Sequence, residues 1–293
     1  MRTQLAYIYI ALAAALWGII GLFVTYLYDA GFTPTQVVTI RAISTTVFLL
    51  IYIGIKNRKL MLIKLTDSKY FIGTGVISIV CFNLLLFTAI QETSISVAAI
   101  LLYTAPAFVT ILSRILFKEY MTPQKIAALF VTLLGCSLVV GVIPNNTETI
   151  SLYGFLLGIG AGFFYALYSV FGKFALKKYT PITVTLYTFV FAAIAITPFS
   201  GLWTVLPKFL NLEVWLYIIG LGFLSTMMAF ILYTKGLDAI ETSRASIIAT
   251  LEPVVAAFVG FLVFQEQLHT WQYLGILLVI SAVILVQKGN NEY

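Results

Sequence analysis

Residues 32–37 read FTPTQV, and residues 179–184, 147 positions later, read YTPITV. The same offset lays Pro106 on Pro253, Ser96 on Ser243, Ala98 on Ala245, and FKE (117–119) on FQE (264–266). One unbroken offset over that length is a tandem repeat and not a by-product of shared apolar composition. Each Thr-Pro pair also has a local meaning: Thr33 and Thr180 suit helix N-caps, and Pro34 and Pro181 suit first helical positions, where a missing N–H costs nothing. The chain divides into two units, 1–145 and 146–293.

Of the 293 residues, 61% are hydrophobic and 10% charged, against roughly 25% charged in an average soluble protein. A soluble fold this poor in charge would expose large apolar patches, so the solvent for most of the surface is lipid. Runs of about 20 apolar residues lie near 5–27, 34–55, 70–90, 96–117, 124–143, 153–174, 182–202, 213–234, 243–264 and 270–287. They are continuous rather than alternating and too long for tilted barrel strands. The first is a retained helix rather than a signal peptide, since nine further spans follow it. The expected fold class is an all-α membrane protein of ten transmembrane helices. Five helices per unit is an odd number, so the second unit enters the membrane from the opposite side. Two inverted five-helix repeats are a recurrent architecture of secondary transporters, with the cargo site near the midplane between them.

Lysine and arginine sort by side. The side holding both termini and four loops carries fourteen of the 17 basic residues, from Arg2 to Lys288. The other side carries Lys208 alone, and Arg41 and Arg114 fall within spans. By the positive-inside rule the termini are cytoplasmic, in an inner or plasma membrane. The same bias accounts for the net charge of +6 without nucleic acid as a partner. The segment PNNTETISL (144–152), free of lysine and arginine, is the expected outer link between the units. Trp203, Trp215 and Trp271 fall near expected outer helix ends, where interfacial indoles are favoured.

Several motifs read as structure. GIGAG (158–162) sits inside an apolar helix, with no strand before it and no lysine after it, so no nucleotide cofactor is implied; Gly154, Gly158 and Gly162 line one face and let helices approach closely. His269 is the only histidine, and Cys81 and Cys136 lie in apolar runs, so neither a His-based metal site nor a disulfide framework is expected. An intramembrane enzyme is the alternative from another class, and the absence of zinc-protease H-E-x-x-H, paired histidine ligands and hydrolase G-x-S-x-G argues against it. Glu119, beside Lys118, reads as a solvated interfacial carboxylate, as does its equivalent Glu266.

Other residues point to a site. Pro106 and Pro253 each deprive a carbonyl four residues earlier, Leu102 and Ala249, of its ladder partner. They are either tolerated kinks or a pair of hinges exposing backbone acceptors near the midplane. Asn83 is helix–helix glue or a cargo contact. Trp17, Tyr103, Tyr165 and Tyr168 are interior aromatics whose polar atoms need partners, and serve packing or the site. Glu252 lies about 14 Å into its helix and Arg41 about 10 Å into its own, at 1.5 Å per residue. Each costs roughly 2.5–3.5 kcal/mol in lipid unless it faces protein or a wet cavity. Arg41 maps to Thr188 and Glu252 to Ala105, so the scaffold is symmetric and its charge is not.

With these residues in view the chain resembles the drug/metabolite transporter superfamily in its ten-helix EamA-type branch. The resemblance rests on ALWGIIGLF (15–23), TIRAIS (39–44), TAPAF (104–108) with LFKE (116–119), and ASIIATLEPVVAAFVGFLVFQE (245–266). It implies alternating-access movement of small metabolites, commonly export of amino acids and related compounds, and leaves the individual cargo open. Without an ATP motif, uphill transport draws on an ion gradient, most simply protons with Glu252 as the titrating group. Efflux of lipophilic cationic drugs is the second expectation, with Glu252 as counter-charge and the aromatics as a cation–π box.

Overall fold

The computed structural model describes residues 2–141 and 151–288. The boundary between the units at 145/146 and most of the link 144–152 lie outside the described residues. Nine helices are long and apolar enough to cross a membrane among those residues: α1 (Thr3–Asp29), α2 (Pro34–Lys56), α3 (Leu65–Glu92), α4 (Ile95–Phe117), α6 (Leu152–Leu176), α7 (Pro181–Phe199), α8 (Leu212–Ala239), α9 (Thr242–Val263) and α10 (Thr270–Gln287). A shorter apolar helix, α5 (Pro123–Val139), completes a set of ten.

The Thr-Pro entries form as read. Thr33 caps α2 in a full capping box with Gln36, and Thr180 accepts the Thr183 N–H at the start of α7. Three boundaries differ from expectation, and the first is that α3 begins at Leu65 rather than near 70. Helix α5 stops at Val139 rather than near 143, because Gly141 takes a left-handed φ of +80° that ends the helix. Helix α8 continues past 234 to Ala239. There the Lys173 ammonium donates to the terminal carbonyls of Leu237 (2.6 Å) and Ile240 (2.8 Å), supplying partners that a helix end otherwise lacks.

Packing follows the repeat. Helix α1 lies against α8 and α9, and its equivalent α6 lies against α3 and α4. Helices α2 and α7, α4 and α9, and α5 and α10 pair with their own equivalents. The units therefore interlock, and the space they enclose is walled by both. Gly162 of α6 permits one close approach: a Cβ there would sit 2.8 Å from the Leu101 carbonyl oxygen of α4. The glycine face of α6 is a packing surface.

Helices α4 and α9 are broken rather than kinked. The first half of α4 is Ile95–Leu102 and that of α9 is Thr242–Ala249, positions that match under the 147-residue offset. Each half ends on the residue whose carbonyl would meet the proline ring four positions on. The chain then turns through Tyr103 (φ −71°, ψ 3°) or Thr250 (φ −71°, ψ 2°). Pro106 and Pro253 fall in the first turn of the following halves, Ala105–Phe117 and Leu251–Val263, where a missing N–H is tolerated. The Thr104 hydroxyl donates to Leu101 C=O (2.6 Å) and the Thr250 hydroxyl to Ile247 C=O (2.5 Å), supplying carbonyls near each break.

A second symmetric feature carries no sequence signature. Helices α3 and α8 each contain a nine-residue π-helical stretch, Ile72–Val80 and Gly220–Met228. Gly75 in the first lets the Thr188 carbonyl of α7 come close, and the Gly222 carbonyl in the second accepts the Thr45 hydroxyl of α2 at 2.9 Å.

Candidate functional site

The wide turn of α8 prepares the surroundings of Arg41. The Thr226 hydroxyl donates to Leu221 C=O five residues back (2.7 Å), and its oxygen accepts the Arg41 Nε–H at 2.8 Å. The guanidinium carbon lies 5.7 Å from the Phe230 ring centroid. One N–H and one face are thus occupied, and the two terminal nitrogens have no protein hydrogen-bond partner among the described residues. At the position equivalent to Arg41, Thr188 of α7 bonds Thr74 of α3 (2.6 Å), so the second unit links the equivalent pair of helices through a different partner residue and without the charge.

Glu252 is the second residue of the second half of α9. The break in α9 therefore places its carboxylate at a helix N-terminus, where the exposed N–H groups favour negative charge. Gly18 fixes α1 against it, since a Cβ there would sit 2.8 Å from the Glu252 carbonyl oxygen.

These two groups share a cavity of about 210 Å³ whose wall includes Trp17, Arg41, Asn83, Tyr165, Phe230 and Glu252. A smaller space of about 30 Å³, reached past Trp17, Tyr165 and Glu252, adds Tyr103, Pro106 and Thr250. All six candidate contacts from the sequence, Trp17, Arg41, Asn83, Tyr103, Tyr165 and Glu252, therefore converge. Pro106 lines the smaller space, and Pro253, next to Glu252 in sequence, is buried. Among the residues lining either space, Arg41 is the one cation and Glu252 the one carboxylate. No salt bridge of 4.0 Å or less joins them.

The remaining polar atoms sort by whether they are already satisfied. Tyr168 hydrogen-bonds Thr234 (2.7 Å) and Tyr233 hydrogen-bonds Ser169 (2.7 Å), tying α6 to α8. Asn83 spends one amide N–H on Ile79 C=O (2.7 Å) within its own helix. By contrast the Trp17 indole N–H is buried without a partner among the described residues, its residue 5% exposed. An unpaired buried donor costs about 1–3 kcal/mol. Phe230, Tyr233 and Thr226 were not anticipated, because one phenylalanine among 23 carries no pattern to distinguish it.

The arrangement is an unbridged polar pair on a cavity inside an interlocked bundle. A model of the EamA-like transporter family matches residues 4–141 and again 152–287. The chain belongs to the EamA-like transporter family. It is a multi-pass membrane transporter, built on the two-repeat pattern of that family. The uncharacterized transporter YyaM of Bacillus subtilis is 30% identical over 281 residues, covering 90% of each chain. An uncharacterized transporter of Archaeoglobus fulgidus is 29% identical over 289 residues, 96% of this chain and 98% of that one. A solved protein crystal structure superposes with a TM-score of 0.78 at 17% identity, covering 98% and 99% of the two chains. At that identity the likeness is one of fold.

One expectation is corrected. Glu119 is not a solvated interfacial group. Its carboxylate accepts the backbone N–H groups of Thr242 (2.6 Å) and Ser243 (3.1 Å) and the Ser243 hydroxyl (2.5 Å), capping α9. Burial pushes the Glu119 carboxyl up, but the bonds from Ser243 and Thr242 outweigh it and leave the group below the usual glutamate range. The cap forms because the chain beyond α4 meets the start of α9, a contact invisible to local sequence.

Proposed function

We propose that the protein is a secondary transporter that exports a small zwitterionic metabolite of the amino-acid type by alternating access. The observation that carries this is the unbridged pair of opposite charges on one cavity. Arg41 offers two free nitrogens in the fork that suits a carboxylate, and Glu252 offers an acceptor for an amine or a proton. The Trp17 N–H supplies a further donor. A space of about 210 Å³ falls below the roughly 300–1,000 Å³ of sites for drug-sized ligands, which favours a metabolite over a bulky lipophilic cation. The Phe230 face that a cation–π box would use is already taken by Arg41.

In this mechanism the bundle of α1, α8 and α9 moves against the bundle of α3, α4 and α6, and the breaks at Tyr103 and Thr250 are the hinges. Protons supply the coupling through Glu252, and no nucleic-acid partner takes part. The test is counterflow of radiolabelled amino acids in proteoliposomes. Saturable counterflow is expected, and alanine at both Pro106 and Pro253 is expected to slow it with binding unchanged. Absence of counterflow for every zwitterion tried would end this proposal. The lysine and arginine bias supports cytoplasmic termini in the cell membrane. Accordingly a cysteine at Asn146 should react with an impermeant reagent in intact cells and one at Lys59 should not; the reverse pattern would invert the topology.

A further inference from the structure

Each unit presents a carboxylate just beyond its broken helix, and the two presentations are the same. Lys118 and Gln265, equivalent in the repeat, are the two non-glycine residues with left-handed backbone among the described residues, at φ 58° and 57°. Behind them the Glu119 N–H reaches Ser113 C=O (3.4 Å) and the Glu266 N–H reaches Gly260 C=O (3.1 Å), again an equivalent pair. What the side chains meet differs. Glu119 caps α9 at Thr242 and Ser243, both buried. Glu266 is exposed and folds back against Gly260. Its equivalent target is the start of α4, at Ile95 and Ser96. There Ser94 caps only the Val97 N–H (3.3 Å), and Ile95 stands 72% exposed.

The cavity agrees with that difference. From Glu252 it extends past Val24 and Tyr28 toward the α1–α2 turn, the end of the molecule where α9 finishes and α4 begins. At the opposite end, beside the Glu119 cap, Glu241 holds Lys125 (2.8 Å) and Arg244 (2.5 Å) in ion pairs. A cavity of about 480 Å³ at the capped end, lined by Glu119, Lys173, Glu241 and Arg244, shares no lining residue with the Arg41–Glu252 space, whereas that space itself runs toward the uncapped end.

We propose that Glu119 and Glu266 are reciprocal latches: Glu119 on the start of α9 holds one end closed in the state described, and Glu266 takes the Ile95 and Ser96 N–H groups when the other end closes. Each latch is a carboxylate on a helix N-terminus, so the bonds are charge-assisted and aligned with the helix dipole. Because the two are chemically alike, exchanging one for the other leaves the two states close in free energy, as a two-state carrier requires. This rests on alternating access but not on the identity of the cargo.

The test uses the full chain in nanodiscs, with Cys81 and Cys136 replaced, and measures spin-label distances across both ends. One label pair is Tyr120→Cys with Asp238→Cys, and the other is Gln91→Cys with Gln267→Cys. In the parent protein the first pair should be short and the second long. Glu119→Gln should raise the population with the opposite pattern by roughly tenfold, the loss of one charged hydrogen bond. Adding Glu266→Gln should return it toward the parent distribution. Should Glu119→Gln not fold, Glu119→Asp, too short to span both N–H groups, is read the same way. Unchanged distances in the Glu119 variant, or a shift that Glu266→Gln does not reverse, would overturn the proposal. Neither readout needs a cargo, so failure of counterflow and failure of the latches are separate results.

Discussion

Arg41→Lys is expected to weaken cargo binding by roughly ten- to a hundredfold while leaving a folded, monodisperse protein. The Arg41 Nε–H is committed to Thr226 and the guanidinium lies over Phe230, so the side chain is oriented before cargo arrives. Its terminal nitrogens then meet a carboxylate as a planar fork. Lysine keeps the charge but brings a single ammonium that cannot hold Thr226 and also reproduce that fork. Losing one charge-assisted bond costs about 1.5–3 kcal/mol, which is the stated loss at 1.4 kcal/mol per factor of ten. Calorimetric titration of the variant checks it. Binding at parental affinity would place the cargo carboxylate elsewhere.

Glu252→Gln has the other large expected effect, removal of the pH dependence of transport. Glutamine matches glutamate in shape and fits the same first turn of the half-helix, so the fold and the broken α9 should persist. It cannot exchange a proton. No other carboxylate and no histidine lines either space among the described residues, so no neighbour is placed to take over. Counterflow measured across a pH series should be flat in the variant and sloped in the parent. An unchanged slope would make Glu252 a structural group and move the coupling elsewhere.

How much of this was legible in the sequence depends on whether the signal was local. The helices, their Thr-Pro entries and the breaks before Pro106 and Pro253 follow from residues within four positions of one another. Arg41 and Glu252 stood out because charge in an apolar run is costly wherever it sits. Their depths follow from counting residues to the helix ends; that both line one cavity is what the packing of the helices adds. The π-helical turns of α3 and α8 were not legible. A nine-residue widened stretch leaves the continuous apolar run unchanged, and here it accompanies close contacts to α7 and α2 that involve Gly75 and Gly222. The Glu119 cap was missed for a related reason, since its partners Thr242 and Ser243 lie more than a hundred positions away. The repeat did mark Glu119 and Glu266 as a pair. What it could not show is that one is engaged and the other free.

The claim that the Arg41–Glu252 cavity takes a zwitterion is most directly tested by a thermal-shift panel on the purified protein. Each amino acid is compared with its carboxyl-blocked ester, its N-acetyl form and a set of lipophilic cations. A ligand at a hundred times its dissociation constant should stabilise the fold by about 2.7 kcal/mol. Stabilisation by an intact amino acid, lost on blocking either end, is the expected result. Stabilisation by carboxylate-free cations alone would contradict it and assign the cavity to cationic drugs.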